Sequence, residues 1–299
     1  MKLFFFIFVI YFFTKSIFSR CIEGNCKDGY GIFIYNNHTK YEGNFINSKP
    51  DGFGYLVLKN GKKYLGQFQE GLFHGVGTIY FNNYGTKYYH GNFLYGKRDG
   101  YGHMVYKKHK EYLGYWKKNK PHGFGIMQYD ITTKYEGNWI NGKREGYGVF
   151  ESSSLSLKYE GDWVNGKFHG KGILISKNGD NNFIYKGEFE KGKFHGHGTL
   201  TKDNIKYKGQ FQNNLFDGFG TLVTIEGQRY TGEFKNNLFH GKGTMVSKDG
   251  SLFVGKFELG ERHGEGTVYG KNGQELYLGI WSNGKLIKKI IEQDTAKSY

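Results

Sequence analysis

From Tyr41 onward, apolar and polar positions follow a pattern that recurs every 22 to 26 residues. Each recurrence opens on an aromatic residue: Tyr41, Tyr64, Tyr89, Tyr112, Tyr135, Tyr159, Tyr185, Tyr207, Tyr230, Phe253 and Tyr277. Counting that residue as zero, Gly always stands at plus two and Phe or Trp at plus four, where all four tryptophans (Trp116, Trp139, Trp163, Trp281) fall. A Gly-x-Gly pair begins at plus eleven, from Gly52/Gly54 to Gly264/Gly266, and plus fifteen is always apolar. An extra pair, Gly29/Gly31, precedes the first unit as a half-repeat. Side chains alternate along a strand, so zero, plus two and plus four share one face. Plus seven is Gly, Asn or Ser and marks a tight turn. The pattern therefore predicts one β-hairpin per repeat, with aromatics alternating with bare glycines on one face. A ring is expected to lie flat over the backbone where any Cβ would collide. The clearest copies place this structural ladder at Tyr135, Gly137, Trp139, Gly146 and Gly148, and again at Tyr159, Gly161, Trp163, Gly170 and Gly172.

Ahead of the repeats, Leu3 to Phe13 form an unbroken apolar run between Lys2 and Lys15, followed by Ser16 and Ser19. A spanning helix needs about 20 apolar residues, so this run reads as a secretory signal peptide cut after Ser19. An uncleaved signal anchor, tethering the chain to a membrane, is the alternative. Cys21 and Cys26 are the only cysteines. In an oxidising compartment such a pair predicts a small local disulfide, and two thiols alone do not complete a four-ligand zinc site. Asn37, in Asn37-His38-Thr39, is the only glycosylation sequon.

Composition narrows the class further. The chain has 48 Gly, 2 Pro and 56 aromatics (27 Phe, 25 Tyr, 4 Trp) among 299 residues. Collagen needs abundant Pro and Gly at every third position, and glycine-rich disorder is poor in aromatics. Gly costs about 1 kcal/mol in a helix interior, so a helical bundle is excluded as well. Formal net charge is +15, a moderately basic balance that favours acidic partners. Lysines spread over solvated faces give the same total.

The repeat resembles the MORN motif (membrane occupation and recognition nexus), written most cleanly as YEGNWINGKREGYG from Tyr135 to Gly148. The resemblance covers Asp28 to about Leu286. It implies an all-β fold: an elongated single-layer antiparallel sheet of about ten stacked β-hairpins, without a central globular core. Two strands per unit, at about 4.8 Å each, advance roughly 10 Å, and each unit is stabilised by its neighbours. The expected organisation is a leader over 1–19, a Cys-containing linker over 20–27, the array over 28–286 and a tail over 287–299. The tail's Leu286–Ile291 segment is apolar enough to cap the last hairpin.

Two patterns suggest chemistry. Gly161 to Lys167 matches the Gly-x4-Gly-Lys spacing of a phosphate loop, but no Ser or Thr follows the Lys and no helix is expected there. His74, His122, His169, His195, His240 and His263 recur at plus ten, and Asp51, Asp99, Glu145 and Asp217 hold the same place in the other units. Equivalent positions in adjacent units lie roughly 10 Å apart, whereas ligands sit within about 2 Å of a shared zinc. These residues are expected to hydrogen-bond at the entrance to the return strand; a metal shared between two chains is the alternative. No catalytic constellation, cofactor, metal, small-molecule substrate or nucleic-acid partner is expected. In some proteins this repeat accompanies an enzyme domain, and the few residues after Leu286 are too short to be one.

Lys97, Lys120, Lys143, Lys167 and Lys193, with Lys49 and Lys285, recur at plus eight. Stacked hairpins would align them along one edge as candidates for anionic lipid, although edge lysines also discourage edge pairing. A single-layer sheet leaves surface unburied, so some of the Tyr, Phe and Trp rows are expected to stay accessible. Three functions follow: a non-catalytic scaffold binding protein partners or itself, a peripheral module binding anionic phospholipid, and an accessory subunit of an enzyme.

Overall fold

The computed structural model describes residues 19–292, apart from 84, 180, 204 and 225. The apolar run Leu3–Phe13, and with it the expected leader up to residue 18, lies outside the described residues, as does 293–299. Every regular element among the described residues is a β-strand. The chain forms two compact units, one up to Lys120 and one from Pro121 onward.

In the first unit the strands run from Arg20–Gly24 to Glu111–Lys117, and each pairs antiparallel with the next in chain order. In the second they run from Lys120–Gln128 to Lys285–Glu292 on the same scheme. The all-β array of stacked hairpins that the repeat predicted is the observed architecture. Register is set by glycine facing glycine: Gly54 opposite Gly66 and Gly77 opposite Gly91 in the first unit, Gly148 opposite Gly161 and Gly172 opposite Gly187 in the second.

Two details go beyond the sequence pattern. The turn is a two-residue one with left-handed backbone at both plus six and plus seven, as at Asn47/Ser48 (φ 49° and 61°) and Asn213/Asn214 (φ 54° and 74°). That geometry matches the right-handed twist of the flanking strands. Beyond it the return strand carries a bulge, for Gly66 pairs with Gly77 while Gln67 pairs with His74. The plus-eleven Gly sits at that bulge with φ of 56° at Gly75 and 66° at Gly146, where a side chain would be strained.

Strand pairing also reaches beyond residues 28–286. Arg20–Gly24, within the segment expected as a linker, pairs with Gly29–Ile34. Lys285–Glu292, expected in large part as a tail, pairs with Glu275–Ser282 through a shifted register. A paired strand at each place satisfies backbone groups that a bare hairpin edge would leave open.

Candidate functional site

The inward face of each unit is an aromatic spine. Tyr135 and Tyr159 are fully buried, and Trp139 and Trp163 retain 4% and 1% of their exposure. Each Tyr meets the plus-four ring of its own unit edge-to-face, at 5.1 Å for Tyr135–Trp139 and 5.2 Å for Tyr159–Trp163. It also meets that of the next unit, at 5.2 Å for Tyr135–Trp163. The Tyr135 and Tyr159 hydroxyls donate to the carbonyls of Asn138 and Asp162, so these two phenols are paired where they are buried. A Cβ on Gly148 would stand 2.6 Å from Cζ of Tyr135, and one on Gly137 would stand 2.6 Å from Cα of Gly148. The glycine floor is therefore a steric requirement of the rings.

The plus-four row, and the heading row from Tyr41 to Phe253, are thus closed, against the expectation that part of them would stay accessible, and only Tyr277 of the heading row is half-buried. The cause of this closure is the residue at plus nine, whose identity varies along the repeat between Phe, Arg and Pro. Phe168, Phe194 and Phe216 stack flat on Tyr159, Tyr185 and Tyr207 at 3.7 to 3.8 Å. Where the next unit carries Trp at plus four, plus nine is Arg or Pro. The Arg98 guanidinium lies 4.5 Å from the Trp116 ring, Arg144 lies 4.1 Å from Trp163 and Arg262 lies 5.0 Å from Trp281. Pro121 precedes Trp139 in the same way. A flat guanidinium fits over the larger indole and gains a cation–π contact. Burial holds these three guanidinium pKa values below their ordinary value, and burial raises the spine phenols, Tyr230 to about 12.

The plus-ten carboxylates clasp one turn to the next. Asp51 accepts the Glu70 N–H, Asp99 that of Lys118, Glu145 that of Asn165 and Asp217 that of Asn236, at 2.9 to 3.3 Å. Each acceptor ties its strand to the following hairpin rather than to its own. His195 and His263 face Glu190 and Glu258 at 3.5 and 3.3 Å, and His74 packs against the Tyr95 ring. Among the described residues, no group of three or more His, Cys, Asp or Glu is placed to hold a metal ion. The Gly161–Lys167 segment spans a strand, its turn and the start of the next strand, with Gly166 in the turn at φ 80°.

Lys97, Lys120, Lys143, Lys167 and Lys193 are all exposed, each beginning a return strand. In the second unit Lys143, Lys167 and Lys193 occupy three successive hairpins. The Nζ groups of Lys143 and Lys193 donate to Asn165 and Asn213 of the following turn. The other lysine row, just before the heading Tyr, is partly spent on ion pairs: Lys134 and Lys158 share Glu151 at 3.7 and 2.7 Å. The Lys158 hydrogen bond holds the Glu151 carboxyl below the ordinary range.

A disulfide joins Cys21, on the first strand, to Cys26 in the turn that follows it. Asn37 is exposed in the following loop, where its Oδ1 accepts the Thr39 N–H at 3.0 Å. The outward face carries a further row that sequence reading did not single out: the residue inside each Gly-x-Gly pair, including Tyr30, Phe53, Tyr101, Phe124 and Tyr147, is exposed. The glycines draw the eye in the sequence, whereas the side chain between them is what meets solvent.

The sequence model of the MORN repeat matches ten consecutive segments: residues 41–63, 64–86, 89–110, 112–131, 135–155, 159–181, 185–204, 207–229, 230–252 and 253–275. The comparison with curated proteins gave no match.

Proposed function

Since the chain belongs to the MORN repeat family, we propose that it is a non-catalytic scaffold that binds protein partners, or a second copy of itself, in a membrane-associated structure. The observation that carries this reading is the fixed register. Within each unit the same turn and outward positions recur roughly every 10 Å, so one surface motif is offered many times over. Repeated identical contacts raise avidity without any single strong site. The plus-ten carboxylates, part of the set that resembled metal ligands, are engaged in tying hairpins together. The test is affinity recovery with the C-terminally tagged chain. Removing an internal repeat should weaken recovery of bound protein, and turnover of a substrate by the purified chain would overturn the reading.

The proposal includes entry to the secretory route through residues 1–19, a compartment in which a disulfide such as Cys21–Cys26 persists. Mass spectrometry of the purified protein should find an N-terminus at Arg20; an intact Met1 in a cytosolic fraction would refute it. A second reading, binding to anionic phospholipid, is favoured by the exposed Lys143, Lys167 and Lys193 in successive hairpins. Each lysine near an anionic surface contributes about 1 kcal/mol. Flotation with vesicles containing acidic lipid should then fall on replacing the three by Gln, and indifference to lipid charge would dismiss it.

A further inference from the structure

The outward row of the first unit has a composition and pitch that suit one kind of partner. Tyr30, Phe53, Val76 and Tyr101 stand at equivalent positions in successive hairpins and are 49 to 58% exposed. Each is two strands from the next, about 9.6 Å. Between them on the same face stand Asn44, Gln67 and Asn92, also exposed, with Asn44 beside Tyr30, Gln67 beside Phe53 and Asn92 beside Val76 in the register. Gln67 accepts the Val76 N–H through Oε1, and its amide nitrogen keeps two N–H donors. The row itself is a neutral alternation of apolar platforms and amide side chains; the Tyr30 hydroxyl at its end donates to Glu42, whose charge is paired with Lys40. The equivalent row of the second unit instead includes Asp162, Lys171, Glu188 and Lys242.

Pitch discriminates among extended ligands. A polyproline II helix repeats every three residues at about 3.1 Å each, or about 9.3 Å, and has no internal hydrogen bonds, so its carbonyls stay free to accept. Over three intervals it stays within about 1 Å of the row. A peptide in β conformation presents one side every two residues, about 6.7 Å, and falls out of step within one interval. An α-helix with its 5.4 Å pitch advances about 10.8 Å in two turns and drifts by more than 3 Å over the row. Aromatic-lined grooves that read proline rings, with donors for the exposed carbonyls, are a recurrent recognition mode. Charge matches too, because proline side chains carry none. The occupant is not a segment of this chain, whose two prolines, Pro50 and Pro121, are both inside strands.

We propose that the outward row of the first unit is a docking track for a proline-rich segment of a protein partner, bound in the polyproline II conformation across successive hairpins. Four platforms span about 29 Å, which sets a footprint of about ten residues. This inference rests on the scaffold reading and specifies its partner.

The test uses the full chain, produced through a secreting host, and fluorescein-labelled decaproline followed by fluorescence anisotropy. Saturable binding is expected, with no binding of a Gly-Ser decapeptide. Phe53→Ala combined with Tyr101→Ala should weaken decaproline by about tenfold or more, while Phe53→Tyr retains it. Circular dichroism of each variant should be unchanged because both side chains are exposed. Decaproline that fails to bind, binds no better than the Gly-Ser peptide, or binds the double variant equally well would overturn the inference. If proteins are still recovered by the tagged chain in that event, the scaffold reading stands without it.

Discussion

The two glycines of each Gly-x-Gly pair are kept for unrelated reasons. Gly148 has ordinary strand backbone but lies under the Tyr135 ring, with Cζ 2.6 Å from any added Cβ. Gly146, two residues earlier, has side-chain neighbours no closer than 3.7 Å but sits at φ 66° in the bulge. Gly148→Ala should therefore cost about 1–3 kcal/mol through overpacking. Gly146→Ala should cost about 1 kcal/mol through backbone strain, and Gly146→Asn less, since Asn tolerates the left-handed region. Urea unfolding of the three variants checks the order. The same spine sets a response to alkali. Burial raises Tyr41, Tyr64, Tyr89, Tyr135, Tyr159, Tyr185 and Tyr207 above the usual phenol range and Tyr230 to about 12. Folded phenols hold their protons to higher pH than unfolded ones, so their contribution is complete below about pH 10 and is lost as pH rises through the folded values. Tyrosinate absorbance from the spine should appear together with loss of the far-UV signal above about pH 10. Ionisation of buried phenols in a still-folded chain would contradict this.

Neighbouring hairpins are matched to one another as well as to the repeat. Arg144 at plus nine lies over Trp163 of the next hairpin, whereas Phe168, one unit later, packs edge-to-face on Phe189 at 5.8 Å. Arg144→Phe should be destabilising by about 1–3 kcal/mol, because a second bulky ring is forced against the indole. Pairing it with Trp163→Phe recreates the Phe–Phe arrangement found elsewhere and should recover much of that loss. A double-mutant cycle measures the coupling, and additive losses would show that the two positions are independent. This matching was present in the sequence, where every Trp at plus four follows Arg or Pro at plus nine, but alternation within one strand gives no reason to look across units. Fixed offsets did reveal the hairpin, the turn and the glycines under the rings, since each is a local demand on one residue. Burial of the spine was not legible, because it depends on rings from three different strands. That Asp99 would hydrogen-bond at the entrance to its return strand was legible, but not that its partner would be the Lys118 N–H of the following turn.

Within each unit strands pair with their neighbours in the chain, and ring contacts such as Tyr135–Trp163 and Tyr159–Phe189 join adjacent hairpins, so stability should be close to a sum of hairpin and nearest-neighbour contributions. Deleting residues 185–206 of the second unit tests this directly. The cut removes one full period and joins Ile184 to Tyr207. Gly172, which faces Gly187, would then face Gly209, and Phe168 would meet Phe211 in place of Phe189. Both replacements are like for like, so the shortened chain should fold with its strand content intact. Its urea m-value should fall with the surface lost, at a nearly unchanged midpoint. Deleting only 185–195 makes a smaller cut but removes most of the outgoing strand, its whole turn at Lys191/Gly192 and the start of the return strand. Gly196 would then follow Ile184, the strands would meet in the wrong direction, and the inward and outward faces could not both be kept. That shorter deletion should be the more damaging of the two, seen as lost far-UV signal and protease sensitivity. A full-period deletion that unfolds the second unit would mean that stability there depends on contacts beyond adjacent hairpins.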